Sequence, residues 1–263
     1  MQTAYIDTEQ FSLTVSMPPE QEYVLPGMVW GPVAAPMSPA FWLYQVLRER
    51  VTEGVVKNRL GNTLLEEVGA CLLGGHGIPA YVGVEAFKVL REKGAFSGEQ
   101  HSTERLYGWL SEPMTIGDKS IRYRFAKQKA KYLNSAISKL TSESAPLGSG
   151  LELRNWLTEI KGVGLKTASW VARNFLNSND VAILDVHIYR AGLKCGLFNA
   201  DKKIETHYLE LERRFVEFSE AMGVKTSELD GVIWRYLALR SSGTIGSSKS
   251  SSKRERQREL QVA

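Results

Sequence analysis

The stretch LRNWLTEIKGVGLKTASWVARNF, residues 153–175, places two helical patterns on either side of a short glycine turn. The turn glycines, Gly162 and Gly164, let the backbone come close to a ligand. The N–H groups that begin the second helix lack intrahelical acceptors, and that end of the helix carries a partial positive charge. The pattern predicts a helical hairpin that holds a phosphate through the backbone of Gly162, Val163 and Gly164. A turn whose glycines are purely structural is the alternative.

Lys166 lies in the first turn of the second helix, where a cation is electrostatically unfavourable. Without further context, a solvated surface lysine is the simplest interpretation. The context is Asp185, which follows the apolar run of residues 181–184 and stands 19 positions after Lys166. Asp185 can be the N-cap of a following helix, and that role is compatible with a second one.

The rest of the chain predicts a mainly α fold. Residues 1–38 hold five of the nine prolines and alternating pieces such as FSLTVSM, so we expect an extended N-terminal segment with room for a short hairpin. From residue 39 to residue 240 the pattern is helical, with roughly eight to ten helices. Outside the N-terminus there is no strong strand signal. The serine-rich, basic residues 241–263 predict a disordered tail.

Composition narrows the class of protein. The chain has 263 residues, of which 43% are hydrophobic and 24% charged, as in an ordinary globular protein. A net charge of +4 favours an anionic partner only weakly. The basic tail either adds sequence-independent affinity for phosphates or is a solvated end. No signal peptide and no apolar run of about 18 residues or more occurs.

The number and spacing of the cysteines and histidines do not favour a metal site. Cys71 and Cys195 are the two cysteines, which excludes a four-cysteine iron–sulfur cluster and a disulfide framework. Reduced thiols fit a cytoplasmic protein. The four histidines have no metal-binding spacing, so we expect no catalytic zinc.

The order of helix, KGVG turn, helix with an internal lysine, and LDVH resembles the helix-hairpin-helix superfamily of DNA glycosylases. It is most similar to the 8-oxoguanine DNA glycosylase/AP lyases, whose lysine and aspartate occupy the positions of Lys166 and Asp185. The resemblance is strong over residues 155–192 and fainter over 60–240. Monofunctional relatives generally lack the lysine, and iron–sulfur relatives have four cysteines.

The resemblance implies two helical lobes with a DNA cleft between them. The glycosylase domain would cover residues 39–240. Its central lobe, about 62–180, would contain the hairpin at 152–176, and its second lobe would combine 39–61 with 181–240. Residues 1–38 are too few for the N-terminal β domain of the animal-type enzymes, so the chain looks closer to compact prokaryotic versions.

The resemblance also implies that Asp185 and Lys166 are catalytic. As the glycosidic bond of a damaged deoxynucleotide breaks, positive charge develops on the sugar, and a carboxylate near C1′ stabilises it. The neutral amine of Lys166 would attack C1′ and become a Schiff base, and β-elimination would nick the strand 3′ to the lesion. Burial and the positive end of the hairpin favour a neutral amine.

A base that reacts must first be flipped into a pocket. Family pockets hold it between two side chains, which correspond here to Trp170 and Trp234, with Asp230 at the base edge. The animal-type enzymes use a cysteine, a phenylalanine and a glutamine at these positions. Two indoles could stack a base at ~1–3 kcal/mol each, and a carboxylate suits N–H donors such as those of guanine. Core packing is the alternative for each tryptophan.

Further residues are candidates for DNA contact. In LLGGHGIPA, residues 72–80, glycines replace the amides with which relatives fill the gap left by the base, and His76 is the side chain available there. His187 resembles a phosphate-contacting position, or is a structural histidine of a capping turn. In the basic and aromatic segment of residues 123–133, either Tyr123 with Arg124 or Gln128 with Lys129 would contact DNA. The alternative is that this segment is a solvated helix face.

Three hypotheses for function follow. The first is a bifunctional DNA glycosylase/AP lyase that excises 8-oxoguanine from duplex DNA in base excision repair. The second keeps the lysine chemistry but acts on a different oxidised or enlarged base, because Trp170, Asp230 and the glycine turn depart from the animal-type pattern. The third is a non-catalytic DNA-binding protein, which would require neither Lys166 nor Asp185.

The expected partner is double-stranded DNA with a damaged base. We expect the protein to bind it as a monomer and not to associate with a membrane. No cofactor is expected, apart from a monovalent or other cation that the hairpin backbone could hold. The resemblance places the protein in the cytoplasm, at the nucleoid of a prokaryote.

Overall fold

The computed structural model describes residues 1–54, 59–75 and 77–242, with side chains up to Leu237. These residues form ten α-helices and three two-stranded antiparallel sheets, so the predicted mainly α fold is confirmed. None of the described helices is long and apolar enough to cross a membrane. The helices are α1 (Pro39–Thr52), α2 (Leu64–Leu73), α3 (Ala80–Glu92), α4 (Thr103–Ser111), α5 (Ala126–Ser142), α6 (Gly150–Leu157), α7 (Leu165–Leu176), α8 (Val186–Lys194), α9 (Ile204–Ala221) and α10 (Thr226–Ser242).

The N-terminal segment is extended, as predicted, and it forms two hairpins where the sequence suggested one. Alternation along the first strand turns Ala4 and Ile6 into the interior. The side-chain amide of Gln2 donates to the carbonyl groups of Pro18 at 2.8 Å and Gly31 at 2.9 Å, which ties the hairpins together. The strands are β1 (Gln2–Asp7), β2 (Ser12–Met17), β3 (Tyr23–Leu25) and β4 (Met28–Val29), paired β1 with β2 and β3 with β4.

A third hairpin corrects the expectation that strands are confined to the N-terminus. β5 (Met114–Ile116) and β6 (Lys119–Ile121) pair antiparallel around Gly117, whose φ is +59°. Each strand has three residues, which is too short for an alternating pattern to stand out from a loop. Met114 is buried, and β5 lies against α3.

The chain divides into two compact units. The described residues within Met1–Val56 and Asn179–Ser248 form the first unit, and those within Lys57–Ser178 form the second. The divisions lie a few residues from the predicted lobe boundaries, and the N-terminal hairpins belong to the first unit. The predicted tail of residues 241–263 lies outside the described residues, apart from its first two, which end α10.

In the first unit, α10 packs against α1, α8 and α9. Trp42 is fully buried, and its ring meets those of Phe41 and Tyr236 edge to face, at 5.0 and 5.4 Å between centroids. Arg235 of α10 forms an ion pair with Glu49 of α1. Burial raises the pKa of Glu49, an effect that the guanidinium opposes. These contacts join α1 to α10 across most of the chain length.

In the second unit, α2 is the central helix and packs against α3, α5 and α7. Glu67 of α2 is fully buried, and its Oε2 accepts the N–H groups of Leu60 at 2.8 Å and Gly61 at 2.7 Å. Its Oε1 accepts the side-chain amide of Asn174 on α7 at 2.9 Å. Glu67 therefore anchors both the segment before α2 and the helix that follows the glycine turn.

Candidate functional site

The helical hairpin predicted from residues 153–175 is α6, the glycine turn and α7. Gly162 has a φ of +88°, which favours glycine, and a Cβ there would lie 2.3–2.5 Å from the ring of Tyr132 on α5. Val163 is buried, and its N–H donates to the carbonyl of Ile160 at 3.0 Å. The fold itself therefore requires glycine at position 162.

Gly164 has different surroundings. It is the N-cap of α7 with a φ of −89°, and a Cβ there would meet nothing within 4 Å. Among the described residues, no side chain accepts a hydrogen bond from the first turn of α7. Open space beside uncapped N–H groups is suited to an anion, so Gly164 is the part of the turn that a phosphate can approach.

The two glycines give a matched test of phosphate binding. We expect Gly164→Ala to keep the free energy of unfolding within about 0.5 kcal/mol of wild type, because its backbone is relaxed and its surroundings are open. The methyl group would stand between a phosphate and the N–H groups, so affinity for duplex DNA should fall about tenfold. Gly162→Ala should cost about 2 kcal/mol of stability or more. Chemical unfolding and titration of a labelled duplex measure both effects, and unchanged affinity in Gly164→Ala would contradict the phosphate role.

Lys166 and Trp170 lie one turn apart on the same face of α7, and both are half-buried. Within the described residues of its own unit, Lys166 forms no ion pair. Lys166 therefore lies half-buried on the helix that the glycine turn begins, and its role as a nucleophile stays a prediction.

Trp170 packs on the C-terminal end of α2. A Cβ at Gly74, the C-cap of α2, would lie 3.2 Å from Cη2 of Trp170 and 3.4 Å from Cζ3. The edge of the indole therefore rests directly on the Gly74 backbone. One side of the ring is fixed, while the residue as a whole stays half-buried.

Two side chains hold the carbonyl groups that end α2. The hydroxyl of Tyr123, which is 4% exposed, donates to the Leu73 carbonyl at 2.6 Å. The ammonium of Lys129 donates to the carbonyls of Leu72 and, at 3.3 Å, Gly74. Burial lowers the pKa of Lys129. Tyr123 and Lys129 thus support the turn beneath Trp170, and neither side chain extends freely into solvent.

The remaining candidates on this segment are exposed. Arg124 lies with its guanidinium 5.1 Å from the ring centroid of Phe125, and the side-chain amide of Gln128 donates to the Tyr132 hydroxyl at 2.7 Å. Each predicted pair therefore has one exposed member and one that holds the end of α2. His76 lies outside the described residues.

Asp185 begins α8 as its N-cap, as the sequence predicts. Its Oδ1 accepts the backbone N–H groups of His187 at 2.8 Å and Ile188 at 2.9 Å. Among the described residues of the same unit, Oδ2 has no hydrogen-bond partner. The carboxylate is thus fixed through one oxygen, and the other accepts no hydrogen bond from the described residues of this unit. His187 is half-buried and takes part in the cap through its backbone N–H.

Residues 181–184, which precede Asp185, are in neither a helix nor a strand. Their buried N–H groups still need acceptors, because an unpaired buried N–H group is costly. Three consecutive N–H groups donate to side chains of α9 and α10: Ala182 to Glu212 at 3.1 Å, Ile183 to Asp230 at 3.4 Å, and Leu184 to Tyr208 at 3.3 Å. The Tyr208 hydroxyl in turn donates to the Ala182 carbonyl at 2.9 Å.

Asp230 and Trp234 lie one turn apart on α10. Trp234 is half-buried, whereas Asp230 is 2% exposed and accepts the N–H of Ile183 through Oδ2. Asp230 therefore has a structural role, the contact with Ile183, that the sequence did not predict. A base-reading role for Asp230 stays a prediction.

Sequence reasoning missed the buried acids, Glu67 and Glu212. Each stands on the apolar stripe of its helix, where Glu212 follows Tyr208 by one turn and precedes Phe215. A carboxylate on a buried stripe was the available signal, since such a group must find donors. No group of three or more His, Cys, Asp or Glu side chains that could hold a metal ion is found in the part of the chain that the structure describes.

Comparison with known proteins adds to this geometry. The family model Ogg-HhH, described as 8-oxoguanine DNA glycosylase, matches residues 48–224, which include both Lys166 and Asp185. A relative from Metallosphaera sedula, named 8-oxoguanine DNA glycosylase/AP lyase, is 32% identical over 199 residues, which cover 72% of this chain and 90% of the relative.

Two solved structures share the fold. The crystal structure of Methanocaldococcus jannaschii 8-oxoguanine DNA glycosylase superposes with a TM-score of 0.58 at 23% identity, over 74% of this chain and 93% of that one. The M. jannaschii 8-oxoguanine glycosylase/lyase in complex with a 15mer DNA containing 8-oxoguanine gives 0.55 at 23% identity, over 78% and 100%. At this identity the likeness establishes a common fold.

Proposed function

This chain belongs to the family of 8-oxoguanine DNA glycosylases and is a DNA glycosylase with AP lyase activity, and we propose that its substrate is 8-oxoguanine in duplex DNA. The observation that carries the proposal is Asp185, whose carboxylate is held by α8 through one oxygen while the other accepts no hydrogen bond from the described residues of its unit. The expected complex is one monomer on one damaged duplex, as part of base excision repair.

Asp185 would act in the first step. The bond between C1′ and the base nitrogen breaks with its electron pair going to the base, which takes up a proton, and positive charge is left on the sugar. The open Oδ2 of Asp185 supplies a fixed negative charge for that sugar. Because the N-cap bonds hold the carboxylate before substrate arrives, it need not reorganise during the reaction.

Lys166 would act in the second step. Its Nζ forms a bond to C1′ and gives up a proton, and the sugar ring opens as the C1′–O4′ bond breaks and O4′ takes a proton. The product is a Schiff base. Loss of a proton from C2′ then breaks the bond between C3′ and its phosphate oxygen, which nicks the strand. The uncapped N–H groups beside Gly164 would hold a backbone phosphate near this lysine.

A second candidate substrate is a different oxidised or enlarged base. Trp170 and Trp234 are both half-buried indoles, and each offers a large stacking surface to a base. Asp230 and Trp234 also lie beyond the residues that the family model matches.

The substrate is decided by a panel of duplexes. Single-turnover excision should be measured on 8-oxoguanine, other oxidised purines and alkylated purines, each opposite C and opposite A. The proposal expects the highest rate on 8-oxoguanine. Faster release of another base would replace 8-oxoguanine as the substrate without affecting the roles of Lys166 and Asp185. No excision of any base would contradict the proposed function.

Loss of an indole should weaken lesion recognition. We expect Trp170→Ala and Trp234→Ala each to reduce kcat/KM for the preferred lesion by roughly 5- to 150-fold, which corresponds to the loss of one base–indole stack. Trp109→Ala is the matched control, since Trp109 is also half-buried but its ring meets that of His101, in its own unit, edge to face. An excision spectrum that stays unchanged in a variant would remove that tryptophan from the pocket.

A further inference from the structure

Tyr208 and Glu212 are buried polar side chains of α9 that the proposed chemistry does not use. Tyr208 is 6% exposed and Glu212 is 3% exposed, and they lie one turn apart. At this depth polar side chains are normally present because they satisfy a specific partner. Their partners include backbone groups of residues 182–184, the segment that leads directly to Asp185.

The contacts fix that segment at both of its ends. Glu212 accepts the Ala182 N–H at 3.1 Å. The Tyr208 hydroxyl accepts the Leu184 N–H at 3.3 Å and donates to the Ala182 carbonyl at 2.9 Å, so one oxygen bridges a span of three residues. A segment with no helix or strand of its own is thereby given a single backbone path.

Asp185 lies where this path meets α8. On the downstream side, its Oδ1 is bound to the first N–H groups of the helix. On the upstream side, the residue that precedes it, Leu184, donates to Tyr208. Hydrogen bonds therefore hold the backbone before and after Asp185, and the direction of its Oδ2 depends on both sets of bonds.

We infer that Tyr208 and Glu212 are positioning residues for the carboxylate of Asp185. The inference rests on the proposed role of Asp185 in base release. A charge that stabilises a transition state acts only when it is held close to its productive place, and small displacements cost up to about 100-fold in rate. Without the Tyr208 hydroxyl, the segment before Asp185 loses its bridge and the carboxylate its fixed direction.

A double-mutant cycle tests the inference. Single-turnover excision should be measured well below the unfolding midpoint for wild type, Tyr208→Phe, Asp185→Asn and the double variant. Tyr208→Phe should slow excision by about 10- to 100-fold when Asp185 is present and by less than about twofold in the Asp185→Asn background. Its dissociation constant for lesion DNA should stay within about twofold of wild type. Glu212→Ala removes the acceptor of the Ala182 N–H and should slow excision, whereas Glu212→Gln keeps an acceptor and should excise faster than Glu212→Ala.

The control is Tyr44→Phe, which removes another tyrosine hydroxyl of the first unit from a backbone carbonyl, that of Tyr5 at 2.8 Å. It should leave excision unchanged. Equal slowing by Tyr208→Phe in both backgrounds would overturn the positioning role and leave the proposed function intact. Undiminished excision in Asp185→Asn would overturn the proposed role of Asp185 and the inference with it.

Amide hydrogen exchange on the wild-type protein provides a measurement that needs no variant. The N–H groups of Ala182 and Leu184 should exchange as slowly as those of buried helices, although they lie outside regular structure. Exchange as fast as that of exposed loops would overturn the inference, even if Tyr208→Phe failed to fold.

Discussion

Lys166→Gln should abolish the covalent adduct that sodium borohydride traps between this protein and DNA containing 8-oxoguanine. Glutamine has nearly the same length but no nucleophilic amine, so no Schiff base can form. Strand nicking should fall by more than about 1,000-fold, as is usual when a nucleophile is removed. Gel electrophoresis under denaturing conditions measures both the adduct and the nick, and affinity for the intact duplex should change little.

A second lysine sharpens this test. Burial lowers the pKa of Lys129, which by itself favours a neutral amine, but its ammonium donates to the carbonyls that end α2. We therefore expect Lys129→Gln still to give an adduct. Lys88→Gln removes a surface lysine that pairs with Glu85 and serves as the unperturbed control. An adduct that survives Lys166→Gln and disappears in Lys129→Gln would show that Lys129, and not Lys166, is the nucleophile.

Asp185→Asn should slow base release by about 100- to 1,000-fold, because the fixed charge opposite the sugar is lost. It should hardly change stability, since asparagine caps a helix about as well as aspartate. Asp185→Ala loses both functions, and we expect the same slow excision together with a loss of about 1 kcal/mol in the free energy of unfolding. Single-turnover kinetics and thermal unfolding separate the two roles.

The pair of variants distinguishes a catalytic carboxylate from a mere helix cap. If Asp185 only capped α8, the Asn variant would excise at the wild-type rate and the Ala variant would be slowed only through its reduced stability. Binding of lesion DNA provides the control, because both variants should keep the wild-type dissociation constant within a few-fold.

Local pattern was sufficient to predict the hairpin and the cap. The two helical patterns around KGVG and the aspartate before VHIYR depend on near neighbours in the chain, and the structure has α7 beginning after Gly164 and α8 beginning after Asp185. The mainly α class followed for the same reason, since the helical stripe is readable over ten or more residues whereas a three-residue strand is not.

Contacts between distant residues could not be predicted. The ring that requires glycine at 162 comes from Tyr132, and the carbonyls that occupy Lys129 come from α2, more than 50 residues earlier. The residues near Lys129 in the chain do not indicate that its ammonium binds the carbonyl groups at the end of another helix. The sequence alone therefore left Tyr123 with Arg124 and Gln128 with Lys129 as equal options.

The division of the chain has a consequence for biosynthesis. The described residues of the unit that carries Lys166 come from one continuous stretch, whereas the unit that carries Asp185 needs α1 and α10 from opposite sides of it. Continuous units can fold as they leave the ribosome, while long loop closures come late. The lysine unit is thus expected to be folded first, and the unit that carries Asp185 is complete only when α10 has been synthesised. A nascent chain would hold the folded hairpin of α6 and α7 before it could release a base.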